Sequence, residues 1–250
     1  MGTNTDMGPA ATTMTASASA DAVDLSDAHA FLRLLQLASP TLPIGAFAYS
    51  QGLEAAVTAA LVTDEASASA WILGLLGGPV AATDLAVFAR VHAAVSAGDE
   101  RSAYRWNAFL LATRATAELQ AEDRHLGTAL ARVLDTLGLP PPMPPEGLSA
   151  WPPTLAGLFA RAAALWRIPL GPALSAFAFA WAEAQVSAAV RLVPLGQSSG
   201  VRILATLAAA IPAAVARARA LPDDQVGGTA PIHAILSSAH ETQYSRLFRS

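Results

Sequence analysis

The sequence of 250 residues contains neither cysteine nor lysine, and all fifteen basic residues are arginine. Without cysteine the chain cannot form disulfides, use a thiolate nucleophile or build a cysteine-based zinc or iron–sulfur site. Chemistry that needs a lysine amine is excluded as well. Aromatic residues make up only 6% of a chain that is 53% hydrophobic, so most of the apolar content is aliphatic and rich in alanine. Because alanine is the best helix former, this composition predicts an all-α fold.

The charge balance gives no sign of a nucleic-acid partner. The formal net charge is −4 and the isoelectric point is about 5.7, whereas phosphate binding favours a basic surface. Long uninterrupted apolar runs are also missing, because the three most apolar stretches contain Asp84, Glu183 and Pro212. A membrane span needs about 20 nearly uncharged residues. The sequence therefore predicts buried helices and no membrane insertion.

Residues 1–24 are rich in threonine, alanine and serine and contain no arginine. They have neither the basic start and apolar run of a secretory signal nor the arginines of a mitochondrial presequence. We therefore expect a disordered N-terminal tail and a cytoplasmic protein.

Helical periodicity predicts a single all-α domain over residues 25–250, an irregular helical bundle of roughly nine to ten helices. The first helix is expected to follow a cap at Ser26 or Asp27, and a second to run from about residue 47 to 61. The apolar face predicted for the first helix is formed by Phe31, Leu34, Leu35 and Ala38.

The most regular helical pattern covers residues 113–137, with Glu122 and Asp123 on its solvated face. Residues 139–153 follow it and contain seven prolines. Proline removes backbone donors and cannot continue a helix, so this segment is expected to be an extended loop. The helices on both sides have wide apolar surfaces that need mutual cover, which favours one domain with a long Pro-rich loop.

Residues 39–54, with the sequence SPTLPIGAFAYSQGLE, interrupt the helical pattern near its start. Pro40 and Pro43 withhold backbone donors and Gly45 permits a left-handed turn, so the backbone is expected to form a rigid corner. This corner is predicted to present three polar side chains to a partner: Tyr49, Gln51 and Glu54. The alternative for the tyrosine is a core aromatic that closes the first helix pair.

A second break in the helical pattern lies at residues 193–197, where Pro194 and Gly196 form a turn between two long apolar helices. Gln197 follows directly. Its side chain is expected to satisfy the open backbone of this turn, which is a local structural role.

The segment His240-Glu241 invites comparison with the zinc motif H-E-x-x-H. That motif needs histidines at i and i+4, but the second position here is Tyr244. His233 and His240 are seven residues apart and could share a helix face, although metal sites normally gather three or four ligands. A polar surface turn without a metal is therefore favoured, and a metal-dependent hydrolase using His240 and Glu241 remains the alternative.

The C-terminal segment 233–250 combines Tyr244, Leu247 and Phe248 with two arginines. Tyrosine, phenylalanine and arginine are favoured anchors at protein interfaces. This composition is typical of a docking tail, but it fits equally well a tail folded back on its own core. A third hypothesis for the whole chain is a helical ligand-binding module, which would need a large closed apolar pocket.

Three segments in order resemble the signatures of one family, the urease accessory protein F family. They are residues 34–54, 190–197 and 240–250, and the similarity extends from about residue 30 to the end of the sequence. The chain departs from the family pattern in the tail 1–24 and in the enlarged loop 139–153. Ala46 and Ala48 also stand where glycine or serine is common.

The resemblance implies an all-helical protein without catalytic chemistry, a chaperone for urease maturation. Members of the family bridge accessory protein D (called H in some species) and the GTPase accessory protein G. Together these proteins insert nickel into apo-urease in a GTP-dependent way. The resemblance further implies a homodimer that influences the partner's GTPase and binds no cofactor of its own, because the partners handle nickel and GTP.

The resemblance also implies roles for single residues. It places Tyr49, Gln51 and Glu54 on a dimer- or GTPase-facing surface and makes Arg246 the tail residue needed for the same assembly. The remaining residues assigned to partner binding are His240, Glu241, Gln243, Tyr244, Leu247 and Phe248.

Overall fold

The structure of the protein is a computed structural model that describes residues 1–2, 28–148, 150–228 and 230–250. Its α-helices confirm the predicted all-α fold. They are α1 Ala28–Ala38, α2 Leu53–Thr58, α3 Glu65–Leu75, α4 Ala86–Ser96, α5 Glu100–Ala112, α6 Ala117–Thr136, α7 Leu155–Leu165, α8 Leu170–Leu192, α9 Gln197–Ala220 and α10 Pro231–His240.

Capping side chains fix the starts of several helices. The carboxylate of Asp64 accepts the main-chain N–H of Ser67 at 2.8 Å before α3, and Asp99 accepts that of Ser102 at 2.9 Å before α5. These bonds satisfy N–H groups that have no partner within the helix. The predicted tail from residue 3 onward and the cap predicted at residues 26–27 lie outside the described residues.

The core lies between α4, α7, α8 and α9. The rings of Phe88, Phe159 and Phe177 meet there with centroids 5.4 to 5.7 Å apart. Helix α8 is central, because it contacts α1, α2, α3, α4, α7 and α9. Its many alanines leave room for these close approaches, in line with the dense packing of protein interiors.

Helix α1 shows an error in the predicted burial pattern. It buries Ala30, Leu34 and Leu37, whereas Phe31 and Leu35 are exposed. The reason is that α1 packs mainly against α8. A single neighbour covers only a narrow stripe of a helix, and that stripe is rotated from the predicted one.

The helix predicted over residues 47–61 is also shorter than expected. Ala46–Ala48 form a single 3₁₀ turn, and α2 starts only after Gln51 and Gly52. Both of these residues have positive φ, at 53° and 77°, which an α-helix cannot contain. Gly45 has a φ of 79° and provides the predicted left-handed turn.

Helices α3 and α4 are joined by a π-helical segment, Leu76–Leu85. This segment is kinked, because Gly78 has φ −97° and ψ −110° and Pro79 follows it. Proline and glycine are usual causes of such kinks. The chain changes direction here without a loop.

The Pro-rich segment 139–153 contains no helix over its described residues, as predicted. Its end is held closely against the bundle. The amide of Asn107 donates to the carbonyl oxygen of Pro152, and a Cβ added to Gly127 would lie 2.2 Å from the carbonyl oxygen of Pro153. The close approach therefore requires a glycine on α6.

Three helical stretches are long and apolar enough to cross a membrane by length and composition: Glu65–Ser96, Leu170–Leu192 and Gln197–Ala220. Within the folded protein their apolar windows are 67%, 50% and 33% buried, respectively. Much of the apolar surface of the first two stretches is thus covered by the protein's own core.

Candidate partner-binding site

The last ten residues of the sequence, here called the docked tail (residues 241–250), lie against the corner at residues 39–54. The N–H of Arg249 donates to the carbonyl oxygen of Ala48 at 2.9 Å. The N–H of Ser50 donates to the main-chain oxygen of Ser250 at 2.7 Å. The corner and the tail are therefore in direct contact. The sequence alone connected them only through the role in assembly that was predicted for both.

The carboxylate of Glu54 binds the docked tail at the start of α2. Its Oε1 accepts the N–H of Leu247 at 2.7 Å and its Oε2 accepts the N–H of Phe248 at 2.9 Å. The glutamate and the phenylalanine ring are both buried. A buried carboxylate needs hydrogen-bond donors, and here the tail backbone supplies two of them.

His240 lies at the end of α10 between two carboxylates. Its Nδ1 is 2.8 Å from Oε2 of Glu118 on α6, and its Nε2 is 3.2 Å from Oε2 of Glu54. Ionised carboxylates only accept hydrogen bonds, so both contacts are hydrogen bonds only when both ring nitrogens carry a proton. In that state a positive ring, without any exposed surface, lies between two negative groups.

Arg246 adds a guanidinium group to this cluster. One of its terminal nitrogens is 2.5 Å from Oε1 of Glu118, so that this carboxylate binds both a histidine and an arginine. The arginine side chain remains partly exposed. The cluster thus connects α2, α6 and α10 with the docked tail.

A second carboxylate on α6, Glu122, holds the very end of the tail. Its Oε2 accepts the hydroxyl of Ser250 and its Oε1 accepts the amide of Gln51, each at 2.7 Å. The amide oxygen of Gln51 in turn accepts the indole N–H of Trp181 at 2.8 Å. Burial raises the pKa of Glu122 to about 7, although both hydrogen bonds favour the charged form.

The exposure predicted for Tyr49, Gln51 and Glu54 is wrong. Tyr49 and Glu54 are buried and Gln51 is half-buried. The hydroxyl of Tyr49 is 3.2 Å from Nδ1 of His125 on α6. The alternative of a core aromatic fits its burial better, and the exposed aromatic of the corner is Phe47, at 64% exposure. A role of the three residues in assembly stays a prediction.

The surface turn predicted at His240 and Glu241 is also wrong. The histidine is fully buried, and Oε1 of Glu241 accepts the N–H of Glu118 at 3.2 Å, at the first turn of α6. His233 binds elsewhere, with Nε2 2.8 Å from the carbonyl oxygen of Gln51. The two histidines therefore do not face a common ion, and no group of three possible metal ligands occurs among the described residues.

Glu122 and Asp123 are buried, which contradicts the solvated face predicted for them. Asp123 binds the guanidinium of Arg114 at 2.7 Å and accepts the N–H of Leu155, the first residue of α7. Arg114 also pairs with Asp84 at 2.6 Å. Burial lowers the pKa of Arg114, but the two carboxylates together outweigh burial and raise it. The contacts of Glu118 and Glu122 with the docked tail were not predicted from the sequence. Their spacing of i and i+4 shows that they share a helix face, but it does not show that the tail covers this face.

Several tail residues remain exposed although the tail is docked. Tyr244 is fully exposed and Leu247 is 67% exposed. Gln243 turns back locally, with its amide donating to the carbonyl oxygen of Ser245. The tail thus combines both predicted possibilities: part of it folds back on the core, and part of it presents apolar side chains to solvent.

The turn at residues 193–197 forms where it was predicted, with an N–H of Leu195 donating to the carbonyl oxygen of Val193. The local role predicted for Gln197 is wrong. It is exposed as the first residue of α9 and, among the described residues, its side chain makes no hydrogen bond to this turn.

A cavity of about 240 Å³ lies behind the corner, between the end of α1 and α8. Most of its wall is apolar, but Gln51, Glu122 and Gln185 line its inner end. Pockets for drug-sized ligands usually measure about 300 to 1,000 Å³. The cavity is therefore smaller than the large closed apolar pocket that the ligand-binding hypothesis needs.

Comparison with known proteins gives the same family over the chain. The family model described as UreF matches residues 62–208, which is more than half of the chain. The chain is 47% identical over 220 residues to urease accessory protein UreF of Alkalilimnicola ehrlichii, covering 87% of this chain and 95% of the relative. It is 48% identical over 227 residues to UreF of Pseudomonas putida strain W619, covering 88% and 98%.

A further relative is a longer protein. The bifunctional urease accessory protein UreEF of Bordetella bronchiseptica is 42% identical over 244 residues, which are 94% of this chain and 55% of that relative. The helical fold and the names of these relatives place the chain in a class of helical accessory proteins. Within this class the chain belongs to the UreF family, which confirms the resemblance found in its three signature segments.

Proposed function

We propose that this protein is a non-enzymatic urease maturation factor that bridges accessory protein D (H) and the GTPase accessory protein G during GTP-dependent nickel insertion. The names of its relatives support the role in maturation. The relative named as a bifunctional accessory protein supports work alongside other accessory proteins. On this proposal the protein acts in the cytoplasm as a homodimer, modulates the partner's GTPase, and leaves nickel and GTP to its partners.

One structural observation carries the bridging role. The docked tail holds Tyr244 and Leu247 in fully or largely exposed positions, while the residues on either side of Leu247 are tied to Glu54 and Glu118. Exposed apolar side chains on a fixed segment are typical of protein interfaces. Little conformational entropy would be lost on binding, because hydrogen bonds already restrain the segment.

Co-purification tests the bridge. With a tag on accessory protein D, protein G should be retained only when this chain is present. Retention of G to the same extent without the chain would contradict the bridging role.

A surface variant tests the contribution of the tail. The double change Tyr244→Ala with Leu247→Ala should abolish retention of G and leave the unfolding transition unchanged, because both side chains contact solvent. Val201→Ala removes an equally exposed apolar side chain from α9 and serves as the control. Equal retention by the double variant and the control would exclude these tail residues from the interface.

A further inference from the structure

A groove with a volume of about 430 Å³, here called the arginine groove, runs between the corner and α6 next to the docked tail. Its walls include Arg132 and His125 from α6, Arg249 from the tail, and Ile44 and Phe47 from the corner. The groove is open to solvent and lies apart from the buried cluster around His240.

The charge of the arginine groove differs from that of the whole protein. The chain carries a net charge of −4, yet the described residues that line the groove include two arginines and a histidine and no acidic residue. Arg132 and Arg249 are exposed, and among the described residues their guanidinium groups have no hydrogen-bond or ion-pair partner. Arg114 and Arg202 are, by contrast, held by carboxylates.

An apolar rim accompanies the two free guanidinium groups. Phe47 is 64% exposed at the 3₁₀ turn of the corner, and Ile44 lies next to it in the groove wall. The carbonyl oxygen of Phe47 accepts a hydrogen bond from Arg191 of α8, at 3.3 Å. The turn that carries the aromatic ring is therefore tied to the bundle and presents the ring in a fixed place.

The arginine groove is complete only when the tail is docked. Arg249 reaches it because its N–H binds Ala48 and because its neighbours Phe248 and Ser250 are buried on either side. An undocked tail would remove one of the two guanidinium groups from the groove. A partner that needs both of them would therefore bind only the form with the tail in place.

We propose that the arginine groove binds an acidic segment of a partner protein, with its carboxylates on Arg132 and Arg249 and an apolar side chain against Phe47 and Ile44. Guanidinium groups bind carboxylates in a planar, two-point geometry, and an exposed aromatic ring covers apolar side chains. This inference rests on the proposed function, because it assigns the segment to a protein of the urease assembly.

The direct test uses a fluorescein-labelled peptide of alternating aspartate and glutamate with one central leucine, titrated against the purified full-length chain. A matched peptide with asparagine and glutamine is the neutral probe. Fluorescence anisotropy should show binding of the acidic peptide only, weakening as salt is added. The variant Arg132→Glu with Arg249→Glu should lose about tenfold or more in affinity. Equal binding by wild type and variant, or no binding to wild type, would overturn the proposal.

The control reverses two exposed arginines outside the groove, with Arg105→Glu and Arg167→Glu. It matches the change in net charge and should keep the wild-type affinity within about twofold. An equal loss of peptide affinity in the control would assign the effect to net charge and would overturn the proposal. A change in the oligomeric state of the groove variant alone would identify the surface as an interface between two copies, which also overturns the proposal.

Co-purification with the accessory proteins separates this inference from the proposed function. If the wild-type chain retains protein G and the groove variant does not, both the proposed function and the groove proposal are supported. If the groove variant retains G as well as wild type does, the function stands and the groove is not the docking site. If wild type binds the acidic peptide but never retains G, the function fails, and with it the assignment of the segment to this assembly.

Discussion

Nδ1 of His240 lies 2.8 Å from Oε2 of Glu118, across the interface between α10 and α6. The ring has no exposed surface and its other nitrogen faces Glu54. The same two glutamates bind the docked tail through its backbone and through Arg246. The histidine therefore contacts both of the carboxylates that hold the tail.

His240→Ala should destabilise the fold by about 3 to 5 kcal/mol, because it leaves a cavity at a fully buried ring and removes a hydrogen-bonding partner of two carboxylates. Two carboxylates would face each other without the ring between them. Denaturant unfolding of the full-length chain measures this change. His125→Ala is the control, because that histidine is exposed and makes a single 3.2 Å contact to Tyr49. A loss no greater than in the control would refute the role of the ring.

Glu54→Gln should release the tail and cost about 1 to 3 kcal/mol, because a buried donor loses its acceptor. The carboxamide has one acceptor oxygen for the two tail N–H groups, and its own NH₂ group would face a second donor. Trypsin should then cleave faster after Arg246 and Arg249 while the helical circular dichroism persists.

Glu241→Gln is the matched control for this proteolysis. That side chain accepts only the N–H of Glu118, and a carboxamide oxygen can still do so. Its cleavage rate should stay close to wild type. Equal rates in the Glu54 variant and wild type would mean that other contacts hold the tail.

The sequence was sufficient for the helical class and for the approximate positions of the corner, the Pro-rich loop and the turn at residues 193–197. Proline and glycine act locally, so the corner and the Pro-rich loop could be predicted from neighbouring residues. The sequence could not predict the burial of Glu54, Glu122 and His240. This burial depends mostly on contacts between residues that are more than a hundred positions apart. A glutamate on a regular amphipathic helix looks solvated until the tail that covers it is placed.

Tyr49 shows the same limit and changes an expected result. The sequence suggests that Tyr49→Ala weakens assembly more than stability. The ring is buried, so this variant should instead lose about 3 to 5 kcal/mol of unfolding free energy through the cavity it leaves. Tyr49→Phe keeps the ring and should cost only about 1 kcal/mol, for the bond to His125. Thermal or denaturant unfolding of both variants decides the matter, and a small loss for alanine would restore the surface role.

The raised pKa of Glu122 predicts a dependence of stability on pH. Folding lifts this pKa from 4.5 to about 7, so between these values the native protein binds more protons than the unfolded chain. The contribution of Glu122 to the free energy of unfolding is therefore fully present below about pH 4.5 and is lost as the pH rises through about 7. Glu122→Gln does not titrate, and its amide can donate to the hydroxyl of Ser250 while its oxygen accepts from Gln51.

The free energy of unfolding of the wild type should thus fall more than that of the variant between about pH 5 and pH 8, by up to about 3 kcal/mol. Denaturant unfolding at several pH values measures the difference. The buried histidines His92 and His233, whose pKa values burial lowers, are common to both proteins and cancel in the comparison. Glu146→Gln, in the exposed loop, should follow the wild-type profile. Parallel profiles for wild type and Glu122→Gln would show that this carboxyl group does not take up a proton on folding.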